Sequence, residues 1–110
     1  PIRAGALGGK IITIGECLVQ ASQHRTYTDF MAHGMGLVTH EAPRLMTLPR
    51  LSYTGYDAER PLESGMVISI ETTMKHPKRG FVKLEDTLFV TESGYEALGD
   101  GGRGWNRVGG

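Results

Sequence analysis

At 110 residues the chain is one domain or part of one, able to bury a modest core and no more. Its 12 Lys and Arg balance its 12 Asp and Glu and are scattered, so there is neither the basic patch of a nucleic-acid binder nor a solvating acidic tail. No apolar run is long enough to span a membrane and the opening residues lack a signal-peptide hydrophobic region, so a soluble chain is expected.

Residues 1–10 are Gly-rich and read as irregular, and the pairs at 8–9, 101–102 and 109–110 mark loops or frayed ends. Residues 10–14, KIITI, read as a short extended piece. Residues 14–23 follow as a short helix, with Cys17, Leu18 and Ala21 at roughly helical spacing. Cys17 is expected to fill space on that helix face. As the single cysteine it forms no internal disulfide, which suits a reducing, cytoplasmic compartment. Residues 27–39 look extended but interrupted by glycines. Pro43 and Pro49 bracket a polar loop reaching about Pro61, with Tyr53 and Tyr56 partly exposed around Gly55. Residues 65–73 and 81–91, rich in β-branched and aromatic side chains, read as strands. The linker 74–80, MKHPKRG, carries a Pro and a Gly and predicts an antiparallel pair, with turns at 62–65 and 91–94. His24 and His76 are expected on surface loops, and no internal repeat is visible.

Chemistry-bearing residues gather in three of these segments. In AHGMGLVTHEAPRL, residues 32–45, His33 and His40 lie seven apart. A zincin helix is excluded, because the residue four after His40 is Arg44 and Pro43 intervenes. In a regular strand an odd separation points side chains to opposite faces. If both histidines serve one site, the backbone must bend between them, and Gly34 and Gly36 allow it. The same stretch also reads as a Gly-rich turn carrying two ordinary histidines. On the strands, Glu71 shares a face with Val67 and Ser69, opposite Ile68 and Ile70. Glu85 shares one with Phe81, Lys83, Thr87 and Phe89, opposite Val82, Leu84 and Leu88. Both acids fit a solvated sheet face. A carboxylate lying among apolar residues would instead need pairing or a bound cation.

Four segments in order resemble the C-terminal half of the pita-bread metallopeptidases, which include methionine aminopeptidase, aminopeptidase P, prolidase and the related creatinase. The family pattern runs H-G-[IVM]-G-L, H-[ED]-x-P, L-x-x-G-M-V-x-x-I-E and [RK]-[IL]-E-D-T-x-x-V-T-x-x-G. Here the segments are HGMGL at 33–37, HEAP at 40–43, LESGMVISIE at 62–71 and KLEDTLFVTESG at 83–94. The resemblance implies an α+β fold, the C-terminal portion of a pita-bread domain with a curved antiparallel sheet and flanking helices. It implies a metal-dependent hydrolase of peptide or related C–N bonds, an aminopeptidase of the Xaa-Pro type among the options, working as a homodimer on a peptide or small-molecule substrate. His33, Glu71 and Glu85 would be ligands of two divalent metal ions, with Glu85 bridging and Glu71 also the general base. His40 would not bind metal but would stabilise the charge developing on the substrate. Imidazole with carboxylates suits manganese, cobalt, iron or zinc without selecting among them.

Three departures qualify the resemblance. The family completes its centre with two aspartates from its N-terminal half, and Asp29 is the only aspartate before His33 here. The chain is therefore expected to be the C-terminal portion of a longer enzyme, inactive alone. The family follows the first glutamate with Pro-Gly, whereas Thr72 and Thr73 follow Glu71, which implies an altered substrate site. The tail from Leu98 to Arg107 matches no family element; Trp105, with Arg103 and Arg107, is expected to pack on the surface rather than cap a neighbouring subunit. A non-catalytic binding module, or a metal-free creatinase-like or lyase member, is the alternative. Keeping His33, Glu71 and Glu85 together argues against it.

Overall fold

The computed structural model describes residues 2–49 and 52–99. Among the described residues, one helix, α1 (Gly9–Ala21), precedes a single 3-10 turn at Arg25–Tyr27 and four strands: β1 (Thr28–Gly34), β2 (Val67–His76), β3 (Gly80–Val90) and β4 (Tyr95–Leu98). The strands form one sheet in the order β1-β2-β3-β4, every neighbour antiparallel.

Helix α1 begins at Gly9, ahead of the stretch 10–14 expected to be extended, which is helical instead, and it ends two residues short of the expected boundary. Its first turn has no side-chain cap. Instead the Gly8 and Gly9 amides donate to the carbonyls of Arg60 (3.2 Å) and Ala58 (2.8 Å), so a distant loop satisfies the helix end. The Gly8–Gly9 pair therefore starts a helix rather than marking a loop. The β-branched isoleucines favour a strand locally, but burial of Ile11 and Gly15 one turn apart overrides that preference. Gly15 has a specific reason to be glycine, since a Cβ there would overlap the Phe30 ring of β1. With that face turned inward, Cys17 and Leu18 point outward; Leu18 is 69% exposed, and Cys17 is exposed rather than a packing residue.

The β2–β3 hairpin is longer than expected. Strand pairing runs from Val67↔Phe89 to His76↔Gly80, so most of the anticipated linker is strand, and only residues 77–79 turn. Gly80 closes the turn with φ +94°, a left-handed conformation that favours glycine. His76 sits on β2, not on a loop, and its Nδ1 accepts the amides of Lys78 and Arg79 at 3.1 Å each. His24 is also part-buried, bonded through Nδ1 to the Tyr27 hydroxyl.

Ile11, Ala32, Leu45, Leu62, Ile68, Leu88 and Val90 form the core. On β1, Phe30 and Ala32 face the α1 side, which leaves His33 on the opposite face by alternation. The N-terminal residues are laced to the sheet by Ala4 N–H to Thr91 O (3.0 Å) and Leu62 N–H to Ala6 O (2.8 Å). Val82 and Leu84, on the face of β3 opposite Glu85, are 54% and 70% exposed: α1 packs against β1 and the first part of β3 is left uncovered, while Leu88 and Val90 further along are buried. Arg103, Trp105 and Arg107, with the terminal glycine pairs, lie outside the described residues.

Candidate metal centre

Antiparallel register decides which acids meet. His33 pairs with Ser69 across β1 and β2, Glu71 pairs with Glu85 across β2 and β3, and paired residues share a sheet face. His33 is fully buried and Glu71 is 2% exposed. The His33 Nδ1–H donates to the carbonyl of Gly34 at 2.8 Å, which turns Nε2 toward Glu71 Oε1, also at 2.8 Å. A ring oriented through its far nitrogen by a backbone carbonyl is how ligating histidines are commonly held.

His40 reaches the same place by a different route. β1 ends at Gly34, and the chain reverses so that Gly34 N–H bonds Pro43 O (2.8 Å) and Glu41 N–H bonds Gly34 O (3.0 Å). A Cβ at position 34 would collide with the Ala42 carbonyl, so the close approach requires glycine. The Glu41 carboxylate accepts Val38 N–H at 3.1 Å, steadying the tip of the reversal. The result stacks the His40 ring on His33, centroids 4.2 Å apart and planes 30° apart. Buried Tyr53, 4% exposed rather than partly open, packs edge-on against His40 at 6.2 Å and donates its hydroxyl to Glu41 O at 3.0 Å. Tyr56 is 62% exposed.

Ligand atoms of His33, His40 and Glu71 lie within 4.8 Å of one another, and His40 Nε2 is buried without a hydrogen-bond partner among the described residues. Glu85 stands beside this trio, its side chain 27% exposed. Ser69 Oγ donates to Glu85 Oε1 at 2.5 Å, and the Lys83 ammonium bridges Glu71 Oε2 (2.8 Å) and Glu85 Oε2 (2.9 Å). These contacts set the electrostatics. The Ser69 hydrogen bond and then Lys83 hold the Glu85 carboxyl below its usual range, while bonds to Glu71 and Glu85 push Lys83 up. Burial, then the neighbouring His33, pushes His40 down, favouring its neutral form.

This donor set fits a divalent cation: an oriented imidazole, an orphaned imidazole nitrogen and two opposed carboxylates whose charge a single lysine ammonium only half offsets. Lys83 and Ser69, which carried no role in the sequence reading, were visible there as period-two neighbours of Glu85 and Glu71. Tyr53 gave no such signal. Thr72 and Thr73 continue β2, paired with Phe30 and Asp29, so no loop breaks the strand after Glu71.

A helix-backed antiparallel sheet thus gathers buried His33 and Glu71, groups of the kind that hold a metal ion, on one face. The chain belongs to metallopeptidase family M24, whose family model matches residues 2–92. A similar sequence is the Xaa-Pro dipeptidase of Pyrococcus furiosus, 43% identical over 68 residues, covering 62% of this chain and 17% of that protein. Prolidase from Pyrococcus furiosus is a structural neighbour with a TM-score of 0.71 at 32% identity, over 93% of this chain and 28% of that one. X-Pro aminopeptidase from Thermotoga maritima MSB8 also has a TM-score of 0.71, over 94% of this chain and 27% of that one; at 19% identity it speaks for the fold alone. The fold is that of the pita-bread peptidases, and the chain spans under a third of the length of these relatives.

Proposed function

We propose that the chain forms the C-terminal part of a pita-bread catalytic domain in a cytoplasmic, homodimeric peptidase of the Xaa-Pro type. An N-terminal half would supply two further aspartate ligands. The gathering of His33, Glu71 and Glu85 on one face, with His33 2.8 Å from Glu71 and both acids held by Lys83, and with His40 beside them, supports this reading. His33, Glu71 and Glu85 hold two divalent ions, manganese, cobalt, iron or zinc. When bound, such ions polarise a scissile carbonyl and lower the pKa of a nearby water. Glu71 takes the proton of the attacking water. Neutral His40 donates its N–H to the developing oxyanion, a contribution of about 3 kcal/mol for one such donor.

A second feature bears on the substrate. The Arg44 guanidinium lies 4.6 Å from the Tyr53 ring centroid and 5.4 Å from that of Tyr56, and no carboxylate among the described residues pairs with it. A cation held this way beside the His40 support favours a substrate with its own carboxylate. A short peptide ending in proline, the class named for the Pyrococcus dipeptidase, meets that requirement.

The test uses a polypeptide carrying this chain together with its upstream half. Metal analysis is expected to find up to two ions, with hydrolysis of Xaa-Pro dipeptides; Glu85→Ala loses both, and unchanged metal content in that variant rejects the assignment. The 110 residues alone are expected to bind metal weakly and to show no turnover. One alternative has a specific observation behind it, since His40 is close enough to be a ligand itself. His40→Ala retains its metal and loses turnover under the first reading, and loses an ion under the second.

A further inference from the structure

The register sets Glu71 and Glu85 directly opposite each other, so pairing β2 with β3 forces two carboxylates together. Like charges opposed across strands are destabilising, and a nearly dry carboxylate is costly without a partner. Both costs arise as the chain folds, because the site exists only once β1, β2 and β3 have paired. The answer to them is built into β3. Lys83 lies two residues before Glu85, hence on the same face, and its Nζ contacts Glu71 Oε2 and Glu85 Oε2 at 2.8 and 2.9 Å. Its side chain is 40% exposed, so the flexible stem has a path by which the ammonium can return to water.

We infer that Lys83 is a resident counter-ion exchanged for metal: its ammonium offsets one of the two carboxylate charges during folding and would swing into solvent when a divalent cation binds the pair. This rests on the reading of Glu71 and Glu85 as metal ligands. An ammonium and a divalent ion touching the same oxygen pair would repel one another at close range, so the two compete. The exchange keeps a cation against the pair both before and after loading. A lysine that merely braced the ligands would instead strengthen metal binding, and the two roles predict opposite signs.

The experiment titrates Mn²⁺ by calorimetry into the polypeptide carrying this chain together with its upstream half, and follows thermal unfolding with and without the ion, for the unaltered chain, Lys83→Met and Lys83→Arg. Lys83→Met is expected to bind Mn²⁺ about tenfold tighter, the scale set by losing two partly exposed ion pairs. The same variant should melt lower without metal and gain more in Tm on loading. Lys83→Arg, whose planar fork grips both carboxylates, is expected to bind several-fold more weakly than the unaltered chain. Equal or weaker Mn²⁺ binding by Lys83→Met overturns the inference while leaving the metal centre in place. Should that variant not fold, Lys83→Arg decides alone, and binding as tight as that of the unaltered chain sinks the idea. Absence of binding in all three chains overturns the metal reading itself, and the inference with it.

Discussion

Two regions deliver the candidate ligands, and they hold them differently. His33, Glu71 and Glu85 ride on adjacent strands, where the backbone ladder fixes their mutual placement whatever the neighbouring side chains do. His40 comes from the irregular segment between β1 and β2, and its position depends on a few particular contacts: the Gly34 approach, the Glu41 carboxylate and the Tyr53 hydroxyl. The sheet site tolerates local change because many hydrogen bonds share the task. The loop site does not, since each contact has no substitute.

Gly34→Ala strikes the junction of the two and should have the largest effect. Backbone must move to admit the methyl group against the Ala42 carbonyl, at a cost of about 3 kcal/mol, read as a lower denaturant midpoint. A change within about 0.5 kcal/mol, typical of inert surface sites, would mean that the loop retracts freely and that the contrast is overstated. Tyr53→Phe loosens only the loop. Loss of its hydroxyl bond to Glu41 O should cost about 1 kcal/mol. The His40 ring resonances should shift in NMR spectra more than those of His33, and Mn²⁺ affinity should hold; a lowered affinity would show the regions to be coupled.

The smallest effect is a two-step dependence of Tm on pH. The folded pKa of His40 is depressed, so its stabilisation is full above the unfolded value of about 6.5 and is lost as pH falls from there through the folded value. The Glu85 carboxyl is depressed too, so its contribution is full above about 4.3 and disappears only as pH falls further. Acidification should therefore weaken the loop before the sheet. His40→Ala should remove the upper step and leave the lower one; an upper step that survives assigns it to another group.

Much of the sheet was readable from side-chain type and alternation. The β-branched runs mark β2 and β3, the Pro and Gly between them mark the hairpin, and counting by twos places Ser69 with Glu71 and Lys83 with Glu85. Helix α1 was half legible. Its Ile-rich opening carries a local strand preference, and its first amides are satisfied by carbonyls about fifty residues away at Ala58 and Arg60, which no local pattern encodes. β4 has only four residues and offered too short a pattern to read. Tyr53 looked like an ordinary loop tyrosine because its burial comes from the returning chain around His40, not from its neighbours in sequence.

By itself the sequence marked the candidate cation-binding residues and the strand faces on which they stand, and it carried the motifs of the family to which the chain belongs. Those properties follow from residue chemistry and a two-residue repeat, both local. The tertiary structure decided that His40 stacks on His33, that Glu71 is buried while Glu85 is partly open, and that Lys83 lies between the two acids. Each of these depends on which distant segment arrives to exclude water or bring a charge, and long-range packing alone sets that.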